Sequence, residues 1–529
     1  MFVQLFSIFW RYWSLIVPTT FITYFVSNKY RYGLAKYPGP WLAAYTDWWR
    51  FFDACGRQSE KTFQEIHRKY GDIVRIGPNV LSFADPQALK QIYGLNKGFV
   101  KSDFYPVQQA SVEGRRLPSL FSTVDEGYHA RYRRCVNGAF SMSSLVPYEP
   151  LVESTLAVFL KQTEKLFQNT GKTCNLTRWV QFFAFDVIGE LTWSKRVGFL
   201  ERNEDVDGII DFVSSFLDYA GPIGQMPILD LLLKKNVIRM QLQRWGLWKT
   251  TFPATQFALD RQAERENEMN IIKQKGIGAL KDVSQAESQE NRGIDLLSKF
   301  TQAQFEHPEI MTNDMVLTTS LSMVIAGSET TAISLSAVLY YLLQNPRTYS
   351  KLLAEIDQAV LDGIIENRED CIVSWTASQK LPYLDAVIQE AFRLHPAAGL
   401  ILERIVPAQG IEIMGERIPG GTIVGCNAWV LHRRREVFGE DVETFRPERW
   451  LEAAPKQLRE MKATMFQFGA GARTCIGKNI SLLEIYKLVP SLLRRFQLEL
   501  VEPEREWTTL NAWFVRQLDF NVKFLQRQK

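Results

Sequence analysis

One cysteine, framed by three glycines and followed at once by a helical run, constrains this chain more than any other stretch. It lies in Phe468-Gly469-Ala470-Gly471-Ala472-Arg473-Thr474-Cys475-Ile476-Gly477, where the glycines permit a sharp turn and close approach of backbone to sulfur. Apolar residues then recur at helical spacing over 480–488. Cys475 is therefore expected where a tight loop feeds a helix N-terminus, and there free N–H groups and the helix dipole favour thiolate over thiol. Phe468 would shield one side of the sulfur. Arg473 supplies a fixed charge suited to a carboxylate or phosphate. An arbitrary cysteine is more often a small buried hydrophobe, and a nucleophilic thiolate would call for a Cys-His signature that does not accompany this loop. The spacing Phe-x-x-Gly-x-Arg-x-Cys-x-Gly fixes five positions at once, which chance does not readily supply.

At 529 residues the chain exceeds the usual single-domain size, yet it shows neither an internal break nor a repeat. A hydrophobic share of 46% is ample for a large core. The net charge of +4 is too small, and the basic residues too dispersed, to argue for nucleic acid, and none is expected as a partner. Cys55, Cys135, Cys174, Cys371, Cys426 and Cys475 stand far apart with no Cys-x-x-Cys pair, a pattern of a reducing compartment rather than a disulfide scaffold or zinc site.

Residues 2–26 are almost wholly apolar or aromatic, broken by Arg11 and Pro18, and Lys29, Arg31 and Lys36 follow. The stretch is long enough to span a bilayer if Arg11 snorkels. Aromatic bulk and the lack of a small-residue cleavage site disfavour a signal peptide. Residues 1–27 are thus expected to be a membrane anchor with the rest of the chain in the cytoplasm. Residues 28–40, with Tyr37-Pro38-Gly39-Pro40, would form a stiff hinge, and 41–529 one large domain.

Within that domain, residues 72–76 and 80–83 read as a hairpin, and 101–127 as a long loop. A helix opens near Tyr128, most of 150–270 is helical in period, and 281–293 is a polar connector. The longest helix is expected over 312–344, ended by Asn345-Pro346; it would span roughly 50 Å. Strands return at 410–418, 422–425 and near 496–501 and 519–524. The fold class is mainly α with minor β.

Ala326-Gly327-Ser328-Glu329-Thr330-Thr331 places a glycine, an acid and hydroxyl residues in the middle of that long helix, against local preference. Such violations cluster at functional sites. Glu390 and Arg393 form an (i, i+3) pair that alone would be an ordinary surface pair. Downstream stands Phe445-Arg446-Pro447-Glu448-Arg449-Trp450.

These motifs, in this order, resemble those of the cytochrome P-450 superfamily, and the resemblance covers essentially the whole chain. Tyr70-Gly71-Asp72-Ile73-Val74-Arg75-Ile76-Gly77-Pro78-Asn79 is similar to fungal microsomal members, nearest the pisatin-demethylase-like secondary-metabolism group. The resemblance implies a long central helix over haem b (iron protoporphyrin IX), with the cysteine loop beneath it and Cys475 as axial iron ligand. It implies that Gly327 widens the helix for O₂ and that Thr330 and Glu329 govern proton delivery. Glu390, Arg393 and Arg449 would form a buried structural network. Arg473, Arg133 and Arg404 would meet the haem propionates, with His129 standing where the family usually has tryptophan; Phe468 and Gly471 would complete the cofactor loop.

Neither a dinucleotide fingerprint nor a P-loop is present, so electrons are expected from a partner, an NADPH-cytochrome P-450 reductase. Lys478, Lys487, Arg131, Arg134 and Arg433-Arg434-Arg435 are candidates for its basic docking surface, or else ordinary solvated charge. The substrate pocket implied by the resemblance uses 105–125, parts of 213–240, 322–331, 397–402 and 511–514. Its largely apolar lining points to a lipophilic small molecule. The function implied is monooxygenation at the endoplasmic reticulum membrane. The alternatives are a reductase-independent rearrangement of peroxides, or non-catalytic haem binding.

Overall fold

The structure is a computed structural model that describes residues 2–248, 253–275, 295–368 and 370–527. The polar connector expected at 281–293 lies outside the described residues. The expected mainly helical architecture with small sheets is what the chain adopts.

Helices gather around the run Asn313–Gln344. It is α-helical to Ser322, makes one π-turn at Met323–Gly327, and resumes as α-helix from Ser328. Its polar residues are reconciled with the interior locally. The hydroxyls of Thr318, Thr319, Ser322 and Ser334 each donate to the carbonyl four residues back. Leu176–Trp193 packs along it and buries Phe182, Phe183, Phe185 and Ile188. The helices Pro382–Leu394 and Lys478–Arg495 close the other sides. Among the described residues only Asn313–Gln344 is long and apolar enough to cross a membrane, and 72% of its span is buried inside the protein. It is a core helix.

Five strands form the main sheet, in the order Ile73–Gly77, Val80–Phe83, Ile423–Cys426, Arg404–Ile405, Val100–Lys101. The first two are the expected hairpin. Register sets Lys101 opposite Arg404 at the far edge. The strand expected at 410–418 is instead a hairpin, Ile411–Ile413 with Glu416–Ile418, because Met414 and Gly415 turn the chain with positive φ. Within the expected loop at 101–127, Glu113 and Gly114 do the same between Ala110–Val112 and Arg115–Leu117. Residues 511–514, expected only as pocket wall, belong to a hairpin Thr508–Ala512/Phe514–Leu518.

The N-terminal helix runs Phe2–Tyr30, past the expected boundary at 27, and at 29 residues is about 43 Å long. Tyr12, Trp13, Leu15, Phe21, Ile22 and Tyr24 on it are exposed. Its C-terminal end is clamped by Arg75, a buried side chain of the first strand. The guanidinium donates to the carbonyls of Lys29 (2.9 Å), Asn28 (3.0 Å) and Pro78 (2.7 Å). This satisfies orphan helix carbonyls with a cation, the favoured sign at that end. The expected hinge is also pinned. Pro38 accepts the Arg75 N–H at 2.7 Å, and a Cβ on Gly39 would lie 2.0 Å from the Arg75 carbonyl oxygen.

Replacing Arg75 with alanine strands these carbonyls beside a buried strand. The expected loss is about 2–3 kcal/mol of unfolding free energy in denaturant titration, and Arg75→Lys recovers little of it, because an ammonium cannot present the same fork.

Candidate functional site

The cysteine loop is built from backbone hydrogen bonds and two glycines in the left-handed region. Gly469 N–H donates to Phe466 O (2.9 Å) and Cys475 N–H to Phe468 O (2.8 Å). Gly471, at φ +65°, brings the loop so close to Tyr93 that a Cβ would sit 1.9 Å from its carbonyl oxygen. The backbone N–H groups of Gly477 and Lys478, opening the helix Lys478–Arg495, bond to the Cys475 sulfur. Cys475 is exposed yet surrounded by protein, so its sulfur lines a recess rather than the outer surface. Burial outweighs the donors and holds the thiol above its ordinary range, despite those N–H groups and the cations of Arg133 and Lys478. The N–H groups act in the expected direction, toward thiolate, and burial opposes them; a bound metal ion deprotonates a thiol outright. The Phe468 ring packs edge-on against Phe392.

Four cations surround buried His129: Arg473, Arg133, Lys101 and Arg404. Burial and these charges, Arg473 foremost, push the imidazole down to about 3, so it is neutral. Arg133 donates to Thr474 O in the cysteine loop (2.9 Å). Arg404 donates to the Tyr105 hydroxyl (3.1 Å) and Glu403 O (2.8 Å). Arg473 is less free than its motif suggests. It donates to the Glu126 carboxylate (2.8 Å) and to Leu120 O (3.2 Å). Lys101, which carries no motif, is the residue sequence reasoning missed. It is buried, lies 4.1 Å from the centre of the Tyr105 ring and donates to Phe121 O. Burial, then Arg404 and Arg473, lower its ammonium far below the usual lysine range.

One sulfur with backbone donors and a buried cluster of cations fit an iron porphyrin. Cys475 would hold the iron through its sulfur, and Arg133, Arg404 and Arg473 would meet the two propionates. Among the described residues no group of three or more His, Cys, Asp and Glu is arranged to hold a bare metal ion.

The π-turn ends at Gly327, directly before Ser328 and Glu329. The widening assigned to Gly327 thus belongs to the whole turn. A Cβ on the glycine would meet the end of the Ile188 side chain at 2.7 Å, so that side chain would have to move. Glu329 is buried and accepts from Gln181 Nε2; burial raises its carboxyl despite Arg516 and Gln181. Thr330 donates to Ala326 O at 2.7 Å. Ala326 is exposed and Thr330 half-buried, one turn apart, so this stripe of the helix fronts an interior space.

Glu390 is fully buried and accepts from five donors. Arg393 Nη2 (2.8 Å) and Nε (3.0 Å), Arg449 Nε (2.9 Å), Trp450 Nε1 (2.9 Å) and the Arg446 backbone (3.1 Å) all reach it. His432 relays this cluster to the cysteine loop. Its Nδ1 donates to Arg393 O (3.1 Å), and its Nε2 accepts the Phe466 N–H (2.7 Å). Sequence reasoning missed His432; a lone histidine before three arginines gave no signal.

Two candidate surface groups are otherwise engaged. Lys487 is fully buried and paired with Glu149 and Glu153. Arg433, Arg434 and Arg435 pair with Glu443, Asp72 and Glu440. Lys478, Arg131 and Arg134 stay exposed, the two arginines on the helix whose Arg133 bonds the cysteine loop.

Comparison with known proteins agrees with this geometry. The sequence model of the family described as Cytochrome P450 matches residues 42–524. The chain is 39% identical over 516 residues to "Cytochrome P450 monooxygenase cicH" of Emericella nidulans, covering 97% of this chain and 98% of that protein. It is 40% identical over 463 residues to a "Cytochrome P450 monooxygenase" of Aspergillus terreus, covering 88% and 90%. A third relative, "Cytochrome P450 monooxygenase asR2" of Sarocladium schorii, is 35% identical over 97% of this chain and 96% of its own length.

Because Glu390 gathers two guanidiniums, Glu390→Gln leaves positive charge buried without its counter-ion. A loss of about 3–5 kcal/mol is expected in chemical denaturation, against about 1–3 kcal/mol for His432→Ala, which strands the Phe466 N–H and takes a donor from the Arg393 carbonyl but leaves no charge unpaired.

Proposed function

The chain belongs to the cytochrome P450 family, and from that premise we propose that it is a haem-thiolate monooxygenase acting on a lipophilic small molecule. The observation that carries this reading is the exposed sulfur of Cys475 in an interior recess, met by the N–H groups of Gly477 and Lys478. When bound, the haem supplies the chemistry that places one oxygen atom of O₂ into substrate and releases the other as water, using two electrons and two protons.

The protein's own residues carry out the rest. Cys475 holds the iron, and the two N–H groups temper the charge on its sulfur. Arg133, Arg404 and Arg473 would neutralise the propionates, whose negative charge would also draw a proton onto Lys101, while neutral His129 adds nothing to the positive charge. Burial raises the Glu329 carboxyl above its ordinary range, within the helix turn that fronts the recess, where it can pass a proton on. Thr330 stands one residue on, with its hydroxyl oxygen free to accept while its proton bonds Ala326 O. Proton delivery at a fixed point is worth roughly 10²–10⁴-fold in such reactions. The Glu390–Arg393–Arg449 network holds the cysteine loop in place.

Electrons would come from an NADPH-cytochrome P-450 reductase docking near Lys478, Arg131 and Arg134. The N-terminal helix, with exposed aromatic and aliphatic side chains along it, would anchor the protein in the endoplasmic reticulum membrane. Exposed Val237, Ile238, Trp245 and Leu247 would add a second contact with the bilayer. A place in fungal secondary metabolism accords with the organisms of the relatives and with the segment 70–79. The type of oxidation (hydroxylation, demethylation or a related step) would follow from how the substrate lies.

The reduced protein with carbon monoxide should show the strongly red-shifted Soret band of a thiolate-bound haem, and Cys475→Ala should abolish it. Its absence in the folded wild-type protein removes the reading. Reversing Lys478 and Arg134 to glutamate should slow NADPH-driven reduction by about tenfold at low salt, with haem content unchanged. Stopped-flow reduction kinetics measure this directly.

A further inference from the structure

The distal cavity is more cationic than its sequence segments suggest. A cavity of about 70 Å³ lies between residues 107–111, the helix Ile209–Gln225, the segment around Lys234 and Arg239, and the central helix at Leu321 and Ile325. Ile325 belongs to the π-turn, two residues before Gly327, so the cavity adjoins the segment that fronts the recess. Phe216, Leu321 and Ile325 give it an apolar wall, and Lys234, Lys235 and Arg239 a charged one.

Only one of these cations is fully satisfied. Lys235 pairs with Asp230 (2.7 Å) and donates to Val107 O (2.7 Å). Asp230 also accepts from the Tyr219 hydroxyl (2.7 Å), so it is already shared. The Lys234 ammonium sits 3.9 Å from the centre of the Tyr219 ring, and the Arg239 guanidinium 5.4 Å from that of Trp248. Among the described residues neither cation makes a salt bridge, and Arg239 Nε is buried with no acceptor. An unmatched buried donor on a cation is costly unless something anionic meets it.

We infer that this cavity receives the carboxylate of an amphiphilic acid, whose apolar body extends past Ile325 toward the recess, and that Arg239 and Lys234 select acidic over neutral substrates. The inference rests on the monooxygenase reading and deepens it by naming the substrate class. A carboxylate matches the planar donor fork of arginine, and the cavity is sized for one end of a substrate. An anionic lipid headgroup would present similar charge, since Val237 and Ile238 are exposed nearby. The buried Nε of Arg239 and the wall formed by the central helix favour a ligand taken inside.

The test uses the full haem-loaded chain in nanodiscs of neutral lipid. Dodecanoic acid and 4-butylbenzoic acid are each titrated against their methyl esters, by the haem spin-state shift and by calorimetry. At least one acid should bind about tenfold tighter than its ester. Arg239→Gln and Lys234→Gln should each weaken that acid about tenfold while leaving the ester unchanged, and Arg239→Lys should keep part of the preference. Equal affinity of acid and ester in both pairs overturns the inference. So does a preference that survives both glutamine substitutions, or a loss confined to binding of phosphatidylserine vesicles, which would assign the cations to a lipid headgroup. Calorimetry reads the acid preference independently of any haem signal, whereas the carbon monoxide spectrum reads the haem-thiolate assignment, so the two failures are separate.

Discussion

A single carboxylate, Glu390, organises the side of the protein that carries the cysteine. A buried charge is tolerated only when its lone pairs are filled, and here five donors from two segments fill them. The requirement works as a fastener. Pro382–Leu394 is tied to the Arg446–Trp450 segment, and Arg393 in turn donates to the carbonyls of His432 and Val442. Because His432 accepts the Phe466 N–H, the charge cluster ends at the first residue of the loop that holds Cys475. The glycine-rich loop supplies shape, and the ion network supplies its position.

How much of this was legible in the sequence follows from how local each feature is. The cysteine loop, the polar insertion in the central helix and the Glu-x-x-Arg pair are short-range patterns, and each folds close to where its spacing puts it. Lys101 and His432 have no local signature; they matter because strand register and loop packing bring them to Arg404 and Phe466. Lys487 looked like a surface cation because period alone does not say which face of a helix is covered, and two glutamates from another helix bury it. Gly327 was read as widening the helix, and it ends a π-turn whose other residues, Met323 to Ala326, carry no such signature. For Cys475 the loop sequence shows the N–H donors but not the burial that opposes them, because burial depends on the elements packed around the loop.

The charge layout around the recess is uneven. Lys101, Arg133, Arg404 and Arg473 concentrate positive charge around His129, with Glu126 as the acid bonded to Arg473. Near the π-turn the titratable group is an acid raised by burial, Glu329. One side suits a permanent dianion, the other the handling of single protons. The concentrated positive charge and the buried acid thus occupy different parts of one interior.

The clamp at Arg75 gives this arrangement a mechanical side. The residue grips the last carbonyls of the N-terminal helix and belongs to the first strand of the sheet whose far strands carry Arg404 and Lys101. Between helix and cation cluster there is no slack segment, only hydrogen-bonded ribbon. Whatever medium holds Phe2–Tyr30 therefore sets the attitude of the entire catalytic body, much as a keel sets the heading of a hull. The helix is coupled through five strands to the plane in which a prosthetic group would lie.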